Sequence, residues 1–126
     1  MELLHKEITE QIIGAAYEVH RILGYGFLEK VYQRAMVVEL ERRGLKVQME
    51  PPAQVFFKKV CVGDYFADLL VEEKVVVELK VARDLNPADA SQLINELHAI
   101  RQEVGLLINF GVMGVKFSRA VNQLER

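Results

Sequence analysis

The sequence predicts a single α/β (α+β) domain in which helices flank a mixed central β-sheet. The chain has 126 residues, a length that suits one domain and leaves no room for a second. Its apolar residues recur at helical spacing up to about residue 44 and at strand-like spacing after it, with one further helical segment among the strands. These observations place residues 1–126 in one domain.

Two helices are predicted at the N-terminus. The apolar residues of segment 3–23 lie on one helical face, and Gly24 and Gly26 signal the turn that follows. A second helix begins at about Leu28 and closes at Gly44, because glycine readily adopts the conformation that ends helices. Since the turn is short, the two helices are expected to form an antiparallel or crossed pair.

Strand signals dominate the rest of the chain. Pro51-Pro52 interrupts the first strand-like residues and excludes a central strand at that point. Segment 75–81 is β-branched almost throughout, which favours a central position in the sheet. The later elements are predicted as strands 60–71 and 75–81 around the polar loop 72–74, a helix 88–103 opened by Asn86-Pro87, and strands 104–110 and 115–121.

Composition restricts the function classes. The net charge is −2, so no global electrostatic feature favours nucleic-acid binding, which must be argued from a site instead. No apolar run approaches the roughly 18 residues of a membrane span, and the charged N-terminus lacks the apolar core of a signal peptide. The single cysteine excludes an intramolecular disulfide. We expect a cytoplasmic protein that does not associate with membranes.

Charged residues interrupt the two strongest predicted strands. A three-residue loop between these strands would place Asp68 directly opposite Glu78, and Phe66 opposite Lys80. Side chains alternate between the two faces of a strand, so the two carboxylates and the ammonium group would project from the same face. The pattern predicts that these three charges lie close together.

Two adjacent carboxylates repel each other, and a divalent cation between them resolves that conflict. Oxygen ligands suit Mg²⁺ or Mn²⁺, and such a cation can activate a water molecule and neutralise charge on a phosphate. Lys80 would then orient the attacking water or stabilise the developing charge. The alternative is a solvated Glu–Lys ladder on the surface of the sheet, with no metal.

The second predicted helix adds two candidate residues. Glu29 and Tyr32 are three positions apart and therefore share a side of the helix. Together they suggest a third acid delivered to the carboxylates from a helix. Taken singly, Tyr32 is explained as an amphipathic core residue, and Glu29 as a charge that complements the helix dipole.

Segment 26–32, Gly-Phe-Leu-Glu-Lys-Val-Tyr, matches a GxxExxY signature. Together with segments 19–24 and 105–111, it resembles the GxxExxY protein family over residues 12–122. That family is placed in the PD-(D/E)XK nuclease-like superfamily, and the resemblance implies a restriction-endonuclease-like core with a mixed sheet flanked by helices. The chain departs from the family at Phe66, where an arginine is frequent, and at Ala67, where the first motif has proline.

The resemblance also implies roles for individual residues. Asp68 resembles the aspartate of the first motif, and Glu78 and Lys80 resemble the acid and lysine of the (D/E)XK motif. The catalytic residues would be Asp68, Glu78, Lys80 and Glu29. The metal ligands would be the carboxylates of Asp68, Glu78 and Glu29 and the backbone carbonyl of Leu79. Polar groups around them would be Gln92, Tyr32 and His20, of which His20 is explained equally well by local packing.

Two functions remain open at this stage. The first is a Mg²⁺- or Mn²⁺-dependent nuclease that hydrolyses phosphodiester bonds, of DNA by analogy with the superfamily. The second is a non-catalytic nuclease-like module that binds nucleic acid or protein. A chain this small has little surface for specificity, so a homodimer or a partner is expected. Phosphate contacts are predicted for Arg21, Lys30 and Arg34, together with His20, Lys58, Lys59 and Arg83.

Overall fold

The computed structural model describes residues 3–123. Within that range the elements are α1 (Lys6–Leu23), α2 (Glu29–Arg42), β1 (Val47–Met49), β2 (Pro52–Phe57), β3 (Val60–Phe66), β4 (Leu69–Val71), β5 (Val75–Lys80), α3 (Pro87–Ile100), β6 (Val104–Phe110) and β7 (Val115–Val121). Strands β6 and β7 have the predicted bounds. The predicted first and third helices were too long, since α1 begins at Lys6 and α3 ends at Ile100, before Arg101 turns to a left-handed conformation with φ of 60°.

The central sheet has five strands in the order β1-β4-β5-β6-β7. Strands β5 and β6 run parallel and the other neighbouring pairs run antiparallel, so the sheet is mixed, as predicted. A parallel pair needs a long crossover connection, and α3 supplies it between β5 and β6. The β-branched strand β5 therefore lies in the middle of the sheet, in the predicted position.

The turn between β4 and β5 determines the register of the site. Val71 pairs with Val75 across this turn, as a three-residue loop predicts. Glu72 and Glu73 both have positive φ, 54° and 58°, and the Lys74 N–H donates to the Val71 carbonyl at 3.0 Å. This register extends toward Asp68 on one strand and Glu78 on the other.

The prediction of one strand over residues 60–71 is wrong, because the chain changes sheets within that segment. Strand β3 pairs with β2 in a separate two-stranded sheet, and β4 belongs to the central sheet. Phe66 consequently lies opposite Pro52 rather than opposite Lys80. The ladder breaks at Asp68, whose N–H is bound by a side chain instead of by a neighbouring strand.

The two faces of the central sheet are covered by different helices. Val75 and Val77 belong to the larger core cluster under α1 and α2, whereas Val76 packs with residues of α3 in a second cluster. Since side chains alternate along a strand, Glu78 and Lys80 project on the α3 face together with Val76.

A glycine in β6 allows α3 to lie close to the sheet. A Cβ atom at Gly105 would be 3.1 Å from a methyl group of Leu93 and 3.2 Å from one of Leu97. A residue with a Cβ would force these two leucine side chains to shift by a few tenths of an ångström, which glycine avoids. The close packing brings the middle turn of α3 over the end of β5.

Asn109 fixes the path of the chain immediately after β5. It is fully buried and lies opposite Lys80 in the parallel ladder. Its Oδ1 accepts from the Ala82 N–H at 2.9 Å, and its Nδ2 donates to the Ala82 carbonyl at 2.8 Å. The side chain thus satisfies two backbone groups that would otherwise lack partners.

We predict that Asn109→Ala lowers the free energy of unfolding by about 2–4 kcal/mol, because it leaves the two backbone groups of Ala82 without partners. Urea denaturation of the purified variant measures this effect. Asn95→Ala, at an exposed position of α3, is the matched control and should change the stability by no more than about 0.5 kcal/mol. Equal effects of the two substitutions would contradict the assigned role of Asn109.

Candidate active site

Two carboxylates meet where β4 begins and β5 ends. The Leu79 N–H donates to Asp68 Oδ2 at 2.7 Å, and the Asp68 N–H donates to Glu78 Oε1 at 3.1 Å. The Asp68 side chain therefore binds the backbone of β5 next to Glu78. The Glu78 side chain binds the backbone of Asp68 itself. This reciprocal pair of hydrogen bonds holds Asp68 and Glu78 together, at the juxtaposition expected from the register.

The backbone of Asp68 is also held from two other elements. Its carbonyl accepts from Gln33 Nε2 on α2 at 3.1 Å and from the Glu50 N–H at 3.0 Å. Gln33 is a buried polar residue with 4% of its surface exposed. Buried polar groups in proteins are nearly always hydrogen-bonded. The hydrogen bond from the Gln33 amide to the Asp68 carbonyl therefore connects α2 to the acidic centre.

Burial changes the protonation of the pair. Glu78 is 8% exposed. Burial, followed by the charge of Asp68 and that of Glu96, raises the pKa of Glu78 to about 9. Burial also raises the pKa of Asp68, although the hydrogen bond from Leu79 opposes that rise. The proximity of the two carboxyl groups lowers the pKa of Asp68 and raises that of Glu78, so Glu78 holds a proton more strongly than Asp68 does.

A further acid, Glu96 on α3, was not predicted from the sequence. It is 4% exposed, its Oε1 accepts from Gln92 Nε2 at 3.4 Å, and its Oε2 has no hydrogen-bond partner among the residues that the structure describes. Burial is the main reason why the pKa of Glu96 is raised. One sequence signal could have revealed it, because Glu96 occupies a position on the apolar stripe of α3 between Leu93 and Leu97.

Lys80 supplies positive charge among these acids. Its ammonium charge lowers the pKa of Asp68, Glu78, Glu96 and Glu29 alike. Its side chain is half-buried and forms no direct ion pair with any carboxylate of residues 3–123. The ammonium group therefore lies near several carboxyl groups without forming an ion pair with any of those in residues 3–123.

Glu29 approaches the same centre from the first turn of α2. Its side chain is exposed, yet partial burial and then the charge of Asp68 raise its pKa. The helix N-terminus favours a negative charge at this position, which agrees with the alternative explanation from the sequence. The two explanations are compatible, because the first turn of α2 points toward Asp68 and Lys80.

Tyr32 and His20 make contacts away from the acids. The Tyr32 hydroxyl donates to the Gly24 carbonyl, and its ring stacks on Phe110 with the centroids 4.5 Å apart. His20 Nε2 forms a hydrogen bond with the Gly111 carbonyl at 2.7 Å. Both side chains stabilise turns of the scaffold, whereas Gln92 contacts the site through Glu96.

The predicted phosphate-binding residues Arg21, Lys30 and Arg34 are exposed on the first two helices. Arg21 forms an exposed ion pair with Glu18 at 2.7 Å. Lys30 and Arg34 lie on the exposed face of α2, next to and one turn beyond Glu29. Lys30 is therefore close in sequence to the acidic centre, while Arg21 belongs to a different helix.

The donor set can be compared with what a metal ion requires. Within the described part of the chain, no group of three or more His, Cys, Asp or Glu side chains has the arrangement of a metal cluster. Mg²⁺, however, is commonly held by one or two carboxylates and keeps several of its waters. Asp68 and Glu78 supply two such carboxyl groups. The Oε2 atom of Glu96, which has no hydrogen-bond partner among the described residues, is a further oxygen beside them. The chemistry of the site fits a hard divalent cation.

The family comparison identifies the fold. Residues 6–120 match the description of the PD-(D/E)XK nuclease superfamily. The chain belongs to this superfamily. Its members typically use divalent metal ions, in agreement with the oxygen-rich site. No curated protein matches the chain, and within residues 3–123 we find no helix that is sufficiently long and apolar to span a membrane.

Two solved structures align with this chain. The crystal structure of SSO0001 aligns with a TM-score of 0.56 and 18% identity, over 94% of this chain and 59% of that one. The crystal structure of an alkaline exonuclease (LHK-Exo) from Laribacter hongkongensis aligns with a TM-score of 0.49 and 10% identity, over 91% of this chain and 82% of that one. The chain thus spans 59% of the length of SSO0001, and the likeness concerns the fold alone.

We predict that the metal-free protein loses stability as the pH rises from about 4.5 to about 9. The pKa of Glu78 is higher in the folded than in the unfolded state, so raising the pH through this window ionises the unfolded chain first and favours unfolding. Glu78→Gln removes the titration, and its stability relative to the wild type should increase with pH. Urea unfolding in EDTA at several pH values measures this difference.

Glu41→Gln is the matched control, since Glu41 is exposed on α2. It should follow the wild-type pH dependence throughout the window. If the difference between Glu78→Gln and the wild type were the same at every pH, the proton on Glu78 would be disproved.

Proposed function

We propose that this chain is a metal-dependent nuclease that hydrolyses phosphodiester bonds, with DNA as its substrate. The observation that carries the proposal is the reciprocal hydrogen bonding of Asp68 and Glu78, which keeps two acids together beside the ammonium group of Lys80. Membership of the superfamily supports the same chemistry.

Asp68 and Glu78 would hold Mg²⁺ or Mn²⁺, with the Leu79 carbonyl and Glu29 as the further predicted ligands. When bound, the cation supplies a water of lowered pKa and neutralises charge on the phosphate. Glu96 adds an oxygen acceptor to that set and can hold a water molecule in place. Gln92 donates to the Oε1 atom of Glu96, so the Oε2 atom, which has no hydrogen-bond partner among the described residues, is available for that purpose.

Lys80 would orient the attacking water and stabilise the charge that develops on the phosphate. Its side chain is half-buried and forms no ion pair with a carboxylate of residues 3–123, so its hydrogen bonds remain for substrate and water. Donors that are fixed before the reaction act more strongly on developing charge than mobile solvent does. Asn109 supports this by holding the backbone just beyond Lys80.

The alternative function is a nuclease-like module that binds nucleic acid or protein without cutting it. One observation favours it, namely that the described residues contain no ready cluster of three metal-ligating side chains. The assignment to the GxxExxY family, the preference for DNA over RNA, a homodimer and a cytoplasmic location all stay predictions. Cleavage assays decide between the two functions.

We predict that the wild-type protein cleaves labelled DNA in Mg²⁺ or Mn²⁺ and is inactive in EDTA. Lys80→Ala and Glu78→Gln should each lower the cleavage rate by about 100-fold or more, because each removes a charged group from the reacting centre. Single-stranded, double-stranded and branched DNA should be tested together with RNA. The initial rates, measured on gels, provide the comparison.

Lys74→Ala, at the opposite end of β5, is the matched control and should retain the wild-type rate. The nuclease proposal fails if the wild type binds nucleic acid but leaves it intact with every metal. It also fails if Lys74→Ala and Lys80→Ala lose activity to the same extent.

We further predict that the apparent affinity for Mn²⁺ increases with pH up to about 9. The cation needs an ionised carboxylate, so the proton on Glu78 must leave, and below its pKa the affinity should change by up to roughly tenfold per pH unit. Calorimetry in two buffers of different protonation enthalpy measures both the affinity and the proton released. In Glu78→Gln the affinity should be lower and nearly independent of pH, and binding without proton release by the wild type would contradict the prediction.

A further inference from the structure

A groove of 920 Å³ separates the β2–β3 hairpin from α3. The hairpin stands outside the central sheet, and its inner face contacts α3 through β2. Such a volume is at the upper end of the range for small-molecule sites. The groove is therefore a substantial concave surface that the proposed reaction centre does not fully use.

The walls of this groove combine aromatic rings with amides. Tyr65 and Phe56 line the hairpin side and are 49% and 60% exposed. The amides are those of Gln54 on the hairpin and of Gln92 and Asn95 on α3. Flat rings on which a base can stack, beside amides that can bond to its edge, are the groups with which proteins recognise unpaired nucleobases.

The groove reaches the acidic centre at one of its walls. Glu96, whose Oε2 has no hydrogen-bond partner in the described part of the chain, and Gln92, which donates to the other oxygen of Glu96, both line it. A ligand in the groove would consequently lie beside the carboxyl groups of the proposed nuclease site. Continuity with that site distinguishes this groove from an isolated surface depression.

A guanidinium group lines the part of the groove farther along α3. Arg101 and His98 line it at the C-terminal end of α3, and Lys58 and Lys59 form the exposed turn of the hairpin. Lysine and arginine near a groove neutralise phosphates and give nucleic-acid binding its dependence on salt. The Arg101 guanidinium, in the same groove as Glu96, thus suits a phosphate of a polyanion bound there.

We propose that this groove holds an unpaired nucleotide of the substrate strand, with its base stacked on Tyr65, so that the protein acts on single-stranded or frayed nucleic acid. The proposal rests on the proposed nuclease function and names the form of its substrate. A duplex keeps its bases paired and stacked, and they reach an aromatic groove only after unpairing. We therefore expect selectivity for single strands, because the aromatic rings on the hairpin wall of the groove can stack only on an unpaired base.

The face alternation of β3 offers a sharp comparison between neighbouring residues. Tyr65 pairs with Ala53, and Phe66 pairs with Pro52, in the same antiparallel ladder. Adjacent strand residues project to opposite faces, so Phe66 points away from the face on which Tyr65 lines the groove. Phe66 is also more exposed, at 62%, so a general effect of exposed aromatic surface would be at least as large there.

The test is fluorescence anisotropy with labelled oligothymidylate and with a duplex of the same length, in Ca²⁺. Gels of the recovered samples establish that the oligonucleotide stays intact. Wild type should bind the single strand more tightly than the duplex. Tyr65→Ala should weaken single-strand binding by roughly 5- to 150-fold, the effect of one lost stacking contact, and leave duplex binding nearly unchanged.

Phe66→Ala is the matched control and should bind the single strand as the wild type does. Tyr65→Phe keeps the ring and should retain most of the affinity, which separates stacking from a lost hydroxyl group. Thermal melts and gel filtration of each variant accompany the binding data. The proposal is overturned if Tyr65→Ala binds normally, if Phe66→Ala is equally impaired, or if Tyr65→Ala alters the oligomeric state instead of the affinity.

This experiment separates the two proposals because it measures binding without cleavage. If wild type never cleaves but Tyr65→Ala still loses single-strand affinity, the nuclease function fails and the groove assignment stands. If Lys80→Ala abolishes cleavage while Tyr65→Ala binds normally, the groove assignment fails and the nuclease function stands.

Discussion

The packing of acidic side chains between α3 and the end of β5 is the constraint on which the rest of this structure depends. Glu78 and Glu96 are almost fully covered by protein, and Asp68 is half-buried beside them. Carboxylates in such surroundings must be protonated, paired or coordinated to a cation. The protein resolves this in part by raising the pKa of Glu78 to about 9, and in part through the nearby charge of Lys80.

The scaffold around the acids is built from regular elements, and this makes their positions reproducible. Gln33 on α2 holds the carbonyl of Asp68, and Asn109 on β6 holds the backbone beyond Lys80. Gly105 permits the close packing through which α3 delivers its acid to the sheet. A site supported in this way keeps its geometry better than one carried on loops, because its side chains have few alternative rotamers.

Much of the fold was predictable because local patterns determine it. A β-branched run predicted the central strand, and the three-residue loop predicted the register that brings Asp68 next to Glu78. The change of sheet after Phe66 was not predictable by periodicity, since alternating residues continue through it while the hydrogen-bonding partners change. Glu96 was missed for a related reason, because one acid on an apolar stripe reveals nothing about what lies opposite.

The sequence by itself determined the types of element, the parity of the hairpin and the presence of acids and a lysine on two neighbouring strands, because these follow from residue spacing along a single strand or helix. Tertiary structure alone decided that α3 adds a further acid, that Tyr32 and His20 support turns, and that a separate hairpin forms one wall of a groove. Those outcomes depend on which surfaces pack against each other across distant parts of the chain, and packing is not encoded by the period of any one segment.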